Sequence, residues 1–148
     1  MLAAMRCLPL ILVALLLPAC GGDEDRPRLL IETSDGEVTV EVEVADDQGE
    51  RAQGLMGRTE LAPDAGMVFL FPEPTRGAFW MKDTLIPLSI AFYDDDGRIL
   101  RILDMEPCRR DPCRLYDPEV EYRGALEVNQ GAFARWNVGE GDRVRLEE

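Results

Sequence analysis

Residues 37–44 read EVTVEVEV, and this alternation of valine with acidic or polar residues is the strongest constraint on the fold. Successive side chains of a β-strand point to opposite faces of a sheet, so the four valines share one face. The pattern predicts a strand with one dry face and one solvated face. Ser34-Asp35-Gly36 before it is typical of a tight turn, so residues 28–33 (RLLIET) are predicted to form a hairpin with it.

Similar strand signals recur along the rest of the chain. Apolar or alternating runs predict further strands at residues 66–71, 78–82, 88–93, 98–105, 125–128 and 142–146. The strand at residues 66–71 is expected to stop at Pro72-Glu73-Pro74, because proline cannot donate to a ladder of hydrogen bonds. Asp94-Asp95-Asp96-Gly97 is interpreted as a hairpin turn, since the alternating ligands and distant glutamate of a calcium-binding EF-hand loop are absent.

Two short helices interrupt the strands. Asp47, followed three residues later by Glu50, is typical of a capped helix start, and this helix is expected to continue to about residue 56. The side chains expected to be buried by it are those of Ala52, Leu55 and Met56. A second turn of helix is predicted near residues 132–136. About eight short strands with two short helices predict a mainly β fold, either a compact β-sandwich or a closed barrel.

The first 27 residues predict export and anchoring. Residues 1–19 combine one basic residue with a short apolar run, which is typical of a secretory signal and too short to span a bilayer. The run ends in Leu17-Pro18-Ala19-Cys20, which resembles a bacterial lipobox and implies acylation of Cys20; the alternative is a plain secretory signal with an incidental cysteine. Residues 20–27 then form a flexible tether with a reach of roughly 25 Å, ahead of a single domain at residues 28–148. The expected location is extracytoplasmic, with acyl chains on Cys20 holding the protein to the bacterial cell membrane.

Two further cysteines, Cys108 and Cys113, lie in a long predicted loop at residues 106–123. An isolated pair this close in an exported domain predicts a disulfide bond. A redox function is the sharper alternative, because the neighbouring arginines would favour a thiolate. The four-residue spacer differs from the two-residue spacer of oxidoreductases, so the structural disulfide is favoured.

The amino-acid composition limits the classes of function that this chain can have. The formal net charge of −13 disfavours binding to nucleic acid, because the chain would repel the phosphate backbone. The sequence contains no histidine, which removes the commonest general base, the usual catalytic triads and most zinc sites. Two serines, Ser34 and Ser89, are present without a histidine to activate them. We therefore expect a protein without a catalytic site or cofactor, and more consistent with a binding protein than with an enzyme.

The segment FWMKDT at residues 79–84 contains the one lysine of the chain. On a strand, Phe79 and Met81 would share one face and are expected in the core. Trp80 and Lys82 would share the opposite face, about 7 Å apart along the strand, as an aromatic surface beside a cation. The residues that follow, Asp83 and Thr84, are typical of a turn.

These residues also carry a family resemblance. The segments GLMGR at 54–58, GMVFLF at 66–71, FWMKDT with the following Pro87-Leu88, and LEVN at 126–129 resemble the domain of unknown function 192 family of small, often exported prokaryotic proteins. The resemblance covers roughly residues 37–146 and implies a compact, mostly β fold, but no reaction. Asp83 stands where asparagine is common in the family, which adds a negative charge beside Lys82.

Three functions are compatible with these observations. The favoured hypothesis is an envelope lipoprotein that binds a small ligand or a protein partner without catalysis; its expected binding residues are Trp80, Lys82, Asp83, Thr84, Arg51 and Arg58. The second is a structural or accessory envelope protein without a small ligand. The third is copper binding, because thioethers bind Cu(I) and the chain carries Met56, Met67, Met81 and Met105 after the signal segment.

Overall fold

The computed structural model describes residues 26–147, which form nine strands and two short helices. The strands are β1 (Arg28–Thr33), β2 (Gly36–Ala45), β3 (Ala65–Thr75), β4 (Phe79–Trp80), β5 (Leu88–Tyr93), β6 (Ile99–Met105), β7 (Leu115–Tyr116), β8 (Tyr122–Asn129) and β9 (Arg143–Glu147). The helices are α1 (Gln48–Gln53) and α2 (Ala132–Arg135). The predicted mainly β class with two short helices is confirmed. The signal segment and Cys20 lie outside the described residues, and within residues 26–147 no helix is long and apolar enough to cross a bilayer.

Seven strands form one sheet in the order β6-β5-β8-β3-β2-β1-β9, and β4 pairs with β7 in a separate two-stranded sheet. All pairs in the large sheet are antiparallel except β2 with β3, which the helical connection through α1 makes parallel. The sheet curls, so its two outer strands meet at one end: the N–H of Ile99 donates to the carbonyl of Asp142 over 2.8 Å. The compact β architecture is therefore a curled half-barrel rather than a flat sheet.

Strand positions follow the sequence patterns closely, with differences at the ends. β1 and β5 have the predicted limits, and the β1–β2 hairpin forms in the expected place. The strand predicted to end at Phe71 instead continues through the prolines to Thr75. Its register with β8 shifts between Leu70 and Thr75, and this irregular part of the ladder accommodates the prolines, which cannot donate a hydrogen bond.

Helix α1 has the predicted start and a shorter length. Asp47 accepts a hydrogen bond from the N–H of Glu50 over 2.8 Å, and the Glu50 side chain accepts from the Asp47 N–H, which completes the capping box. The helix ends at Gly54, whose φ of 46° is in the left-handed region. The prediction that Ala52 is buried was wrong, because that side chain faces solvent, whereas Leu55, one residue beyond the helix end, is buried.

Two apolar clusters lie on the two faces of the large sheet, because alternate residues of β3, β5 and β8 contribute to one or the other. Helix α2 packs into the first cluster through Ala132 and Phe133. The second cluster includes Leu55, Met81 and Tyr116, so the turn after α1 and the small β4–β7 sheet cover that face. This cover brings the FWMKDT segment against the centre of the large sheet.

Candidate functional site

The FWMKDT segment has the two-sided character that the sequence predicts. Met81 is 1% exposed and Trp80 is 49% exposed. The Phe79 ring is half-buried and packs against Phe69 and Phe92, with ring centroids 5.1 Å and 5.5 Å away. The Lys82 ammonium lies 5.6 Å from the centre of the Trp80 ring. The regular strand is only two residues long, so the alternation extends beyond the ladder of hydrogen bonds.

The disulfide loop holds this segment from the outside. Cys108 and Cys113 are paired in a disulfide with their Cα atoms 5.5 Å apart, as predicted. The N–H of Cys108 donates to the carbonyl of Met81 over 3.2 Å, and a single parallel bridge joins Cys108 to Lys82. Trp80 lies opposite Leu115 of β7, which is 63% exposed. The loop therefore fixes the backbone from which Trp80 and Lys82 project.

Asp83 holds the turn through its backbone. Its φ is 55°, in the left-handed region that asparagine and aspartate tolerate better than most residues. Its carbonyl accepts a hydrogen bond from the N–H of Gly57 over 2.8 Å, which ties this turn to the turn after α1. Asparagine and aspartate share this tolerance, so the conformation gives a physical reason for either residue at this position. The Asp83 side chain is exposed.

Thr84 follows Asp83 in the predicted turn, and its side chain lies in the interior. It is 5% exposed, its N–H donates to the carbonyl of Met81 over 3.2 Å, and its hydroxyl lies 3.4 Å from the carbonyl of Lys82. Its side chain lines a small pocket between α1, β4 and the large sheet. The turn thus directs the hydroxyl of Thr84 into the interior, at the pocket that Trp80 also lines.

Glu127 is the residue that sequence reasoning missed. It lies in the middle of β8, between Met67 of β3 and Ile90 of β5, and is 4% exposed. Burial raises the pKa of this carboxyl from 4.5 to about 8, because the apolar surroundings disfavour the charged form. The sequence signal was an acidic residue inside the otherwise apolar run of β8.

The Glu127 carboxyl has no hydrogen-bond or ion-pair partner among residues 26–147, in which every fully enclosed polar side-chain atom does have a partner. Because they have no such partner, the Glu127 oxygens are not fully enclosed. The space that they face is the small pocket that Thr84 also lines. An unpartnered carboxyl at the centre of a sheet is destabilising. Its position thus indicates a site rather than a packing role.

The pocket has a volume of about 30 Å³ and a mixed lining. Its walls are the end of α1 and the following turn, three aromatic rings, and two buried polar side chains. These groups are residues 51–56, Phe69, Phe79, Trp80, Thr84 and Glu127. Eight of the eleven lining residues belong to the segments that carry the family resemblance, which are far apart in sequence and meet here.

The two arginines predicted for the site lie in different places. Arg51 lines the pocket, but its guanidinium donates to the carbonyls of Asp46 and Leu70 and lies 5.3 Å from the centre of the Phe71 ring. Arg58 is not among the lining residues and instead pairs with Glu43, with a nitrogen–oxygen distance of 2.6 Å. The predicted set is therefore brought together in part, around Trp80, Thr84 and Arg51.

Other candidate groups have packing roles. Met67, Met81 and Met105 are buried in the second apolar cluster, where methionine fills space between larger side chains. The Ser89 hydroxyl donates to Asp104 over 2.5 Å and accepts from the N–H of Gly131 over 2.9 Å, so it ties β5 to β6 and to the start of α2. Copper binding stays a prediction that a titration would test.

Comparison with known proteins identifies the fold of this chain but does not indicate an activity. A family model with the description "Uncharacterized ACR" matches residues 30–146. A crystal structure of a proposed transcription regulator from Sinorhizobium meliloti 1021 is 35% identical, with a TM-score of 0.75 over 81% of this chain and 92% of that chain. A protein of unknown function from Novosphingobium aromaticivorans DSM 12444 is 33% identical, with a TM-score of 0.74 over 80% of this chain and 83% of that chain. No curated protein matches the sequence.

Proposed function

This chain belongs to the DUF192 family, and we propose that it is a non-catalytic binding domain of the cell envelope. The small polar end of a ligand enters the pocket of Glu127 and Thr84, and the rest of that ligand lies on Trp80. The observation that carries the proposal is the unpartnered buried carboxyl of Glu127. A ligand that hydrogen-bonds to this group would remove a destabilising feature of the empty domain.

Shape and polarity support a ligand of this kind. Binding sites combine apolar and aromatic walls with a few converging polar groups, and this pocket has three aromatic rings with two buried polar side chains. Because its volume is about 30 Å³, it admits the tip of a ligand but not the whole. Trp80, half-exposed at the pocket, supplies a flat surface for the remainder, and Lys82 beside it supplies a cation.

The envelope location rests on the sequence before residue 28. The lipobox-like LPAC and the polar residues after it support acylation of Cys20, and acyl chains contribute about 0.8 kcal/mol of membrane binding per buried methylene. A tether of roughly 25 Å would keep the domain within reach of ligands at the membrane surface. A protein partner of the envelope whose side chain enters the pocket would use the same site.

The description of the Sinorhizobium meliloti protein raises a role in transcription. Three sequence features weigh against transferring that role: a net charge of −13, a predicted export signal, and a lipobox-like sequence. Recognition of DNA depends on cations that replace the counterions of the phosphates. We therefore favour ligand binding over binding to nucleic acid for this member.

A thermal-shift screen of the purified protein tests the proposal. The panel would contain sugars, amino acids, small amines and peptidoglycan fragments, and a true ligand is expected to raise the melting temperature. Trp80→Ala should abolish or strongly reduce that shift. Leu85→Ala is the matched control, because Leu85 is also an exposed large apolar residue but does not line the pocket.

Two results would contradict the proposal. One is a panel in which no compound stabilises the protein, and the other is a ligand whose shift survives Trp80→Ala undiminished. Either would favour a structural or accessory role in the envelope.

A further inference from the structure

We propose that the group received by the Glu127 pocket is a primary ammonium at the end of an unbranched chain. This inference rests on the proposed function and names the chemical class of its ligand. Free alkylamines, diamines and the lysine side chain of a peptide all share this chemistry. The inference depends on what lines the pocket, which charges face it, and how large it is.

The lining combines the two groups that attract an ammonium most strongly. Glu127 contributes the one carboxyl among the eleven lining residues, and Phe69, Phe79 and Trp80 contribute three aromatic rings. Ring faces carry negative potential and bind cations, most strongly where water is excluded. Phe69 and Phe79 are held edge to face, with an interplanar angle of 88°. The packing of the core therefore fixes two of these rings.

No cation of the described chain fills this position. On α1, the guanidinium of Arg51 is held by the main chain and stacks on Phe71, which is not part of the lining. Beside β4, the Lys82 ammonium lies over Trp80, and Lys82 does not line the pocket. The cross-strand neighbours of Glu127 on β3 and β5 are Met67 and Ile90, which carry no charge.

The size of the pocket selects the kind of ammonium. A cavity needs on the order of 10–15 Å³ to admit one water molecule, so about 30 Å³ accommodates two or three groups of that size. An ammonium with the methylene next to it fits this space. A trimethylammonium head is too large and should be excluded.

Binding of such a group should change the protonation state of Glu127. Because burial raises the pKa of Glu127 to about 8, the carboxyl of the empty pocket holds its proton at neutral pH. An entering ammonium pairs with the carboxylate form, so the proton of Glu127 is released to the buffer as the ion pair forms. Below pH 8 the binding-competent carboxylate is a minor species, and apparent affinity should rise about tenfold for each pH unit.

Isothermal titration calorimetry of the purified full-length protein with n-butylammonium tests this inference. Titrations at pH 6 and pH 7, in phosphate and in a sulfonate buffer of different ionisation enthalpy, give the number of protons released per ligand bound. We expect about one proton released and a roughly tenfold lower Kd at pH 7 than at pH 6. Titrations with 1,4-diaminobutane and with a lysine-containing peptide distinguish a free amine from a partner side chain as the source of the ammonium.

Matched controls separate charge from shape. 1-Butanol has the same chain length without the charge and should bind at least about 10-fold more weakly. Glu127→Gln keeps the side-chain shape and should weaken n-butylammonium at least about 30-fold. Glu60→Gln makes the same substitution at an exposed position outside the pocket and should leave binding and proton release unchanged.

Two outcomes would overturn the inference. One is failure of n-butylammonium to bind, or its binding without proton release, and the other is equal or tighter binding of 1-butanol. Both are measured on the unmodified protein, so neither depends on whether a variant folds. If the thermal-shift screen then yields a neutral or anionic ligand that requires Trp80, the proposed function stands and its ligand class changes.

Discussion

The ammonium of Lys82 and the ring of Trp80 are in contact range, with 5.6 Å from the Nζ atom to the ring centre, and both side chains project from the same side of the FWMKDT segment. Met81, between them, points inward and is fully buried. This arrangement separates a side that stabilises the domain from a side that is available to a ligand. Substitutions on the two sides should therefore have different effects.

Phe79→Ala should destabilise the domain by roughly 3–5 kcal/mol, the range for an emptied aromatic site in a core. The ring contacts three other rings, those of Phe69, Phe92 and Tyr122, and these contacts would be lost. Lys82→Ala should change stability by less than about 1 kcal/mol, because a partly exposed cation–π contact contributes little. Denaturant unfolding of both variants provides the comparison, and an unfolded Lys82→Ala protein would show that the lysine has a structural role.

The stability of the domain should fall as the pH rises from about 4.5 to about 8. The folded state keeps the proton of Glu127 up to about pH 8, whereas a glutamate in the unfolded chain loses it near 4.5. The free energy of unfolding is therefore highest below pH 4.5 and decreases by roughly 1.4 kcal/mol per pH unit between these values.

Glu127→Gln should remove this slope. The variant should be more stable than the unmodified protein by about 3 kcal/mol at pH 7 and similar to it at pH 4. Urea unfolding at several pH values measures both quantities, and Glu60→Gln is the exposed control. A variant that is equally destabilised at every pH would refute the assignment of a buried neutral carboxyl.

The Cys108–Cys113 disulfide should be complete in protein purified from the envelope. Alkylation without reductant, followed by intact-mass analysis, should find neither thiol free. Cys108→Ser combined with Cys113→Ser should lower stability by about 2 kcal/mol, as expected for a small closed loop. Amide exchange should increase at Cys108, whose N–H is bonded to Met81. Two alkylated thiols in unreduced protein would contradict the prediction.

Cys20→Ala should release the protein from membranes or leave the precursor uncleaved, because the variant lacks the thiol that acylation at the lipobox-like sequence would require. Membrane fractionation and the mass of the N-terminal peptide provide the readout. Cys7→Ala is the matched control, since Cys7 lies inside the predicted signal segment. Unchanged fractionation and processing of Cys20→Ala would leave only the plain secretory signal.

Sequence periodicity predicted the local features well. β1 and β5 were placed to the residue, and the inward Met81 and outward Trp80 follow from alternation along one strand. The capping box of α1 was also predicted, because it involves residues only three apart. In these cases neighbours in sequence determine the direction of each side chain.

The pocket could not be predicted in this way, because its groups come from distant segments. Nothing in the sequence near Thr84 or Glu127 shows that these side chains share one space. Arg58 illustrates the opposite error. It is close in sequence to lining residues 51–56, but its guanidinium pairs with Glu43, fifteen residues earlier. The acidic residue within the apolar run of β8 was the available signal for Glu127.

The pairing of the first and last strands has a consequence for engineering. Arg28 lies directly opposite Glu147 in the antiparallel β1–β9 ladder, and such partners have Cα atoms about 5 Å apart. A loop of two to four residues could therefore join them as a hairpin. If this chain is reopened in the exposed turn at Ser34 and Asp35, the resulting circular permutant should fold into the same sheet with β2 as its first strand and β1 as its last.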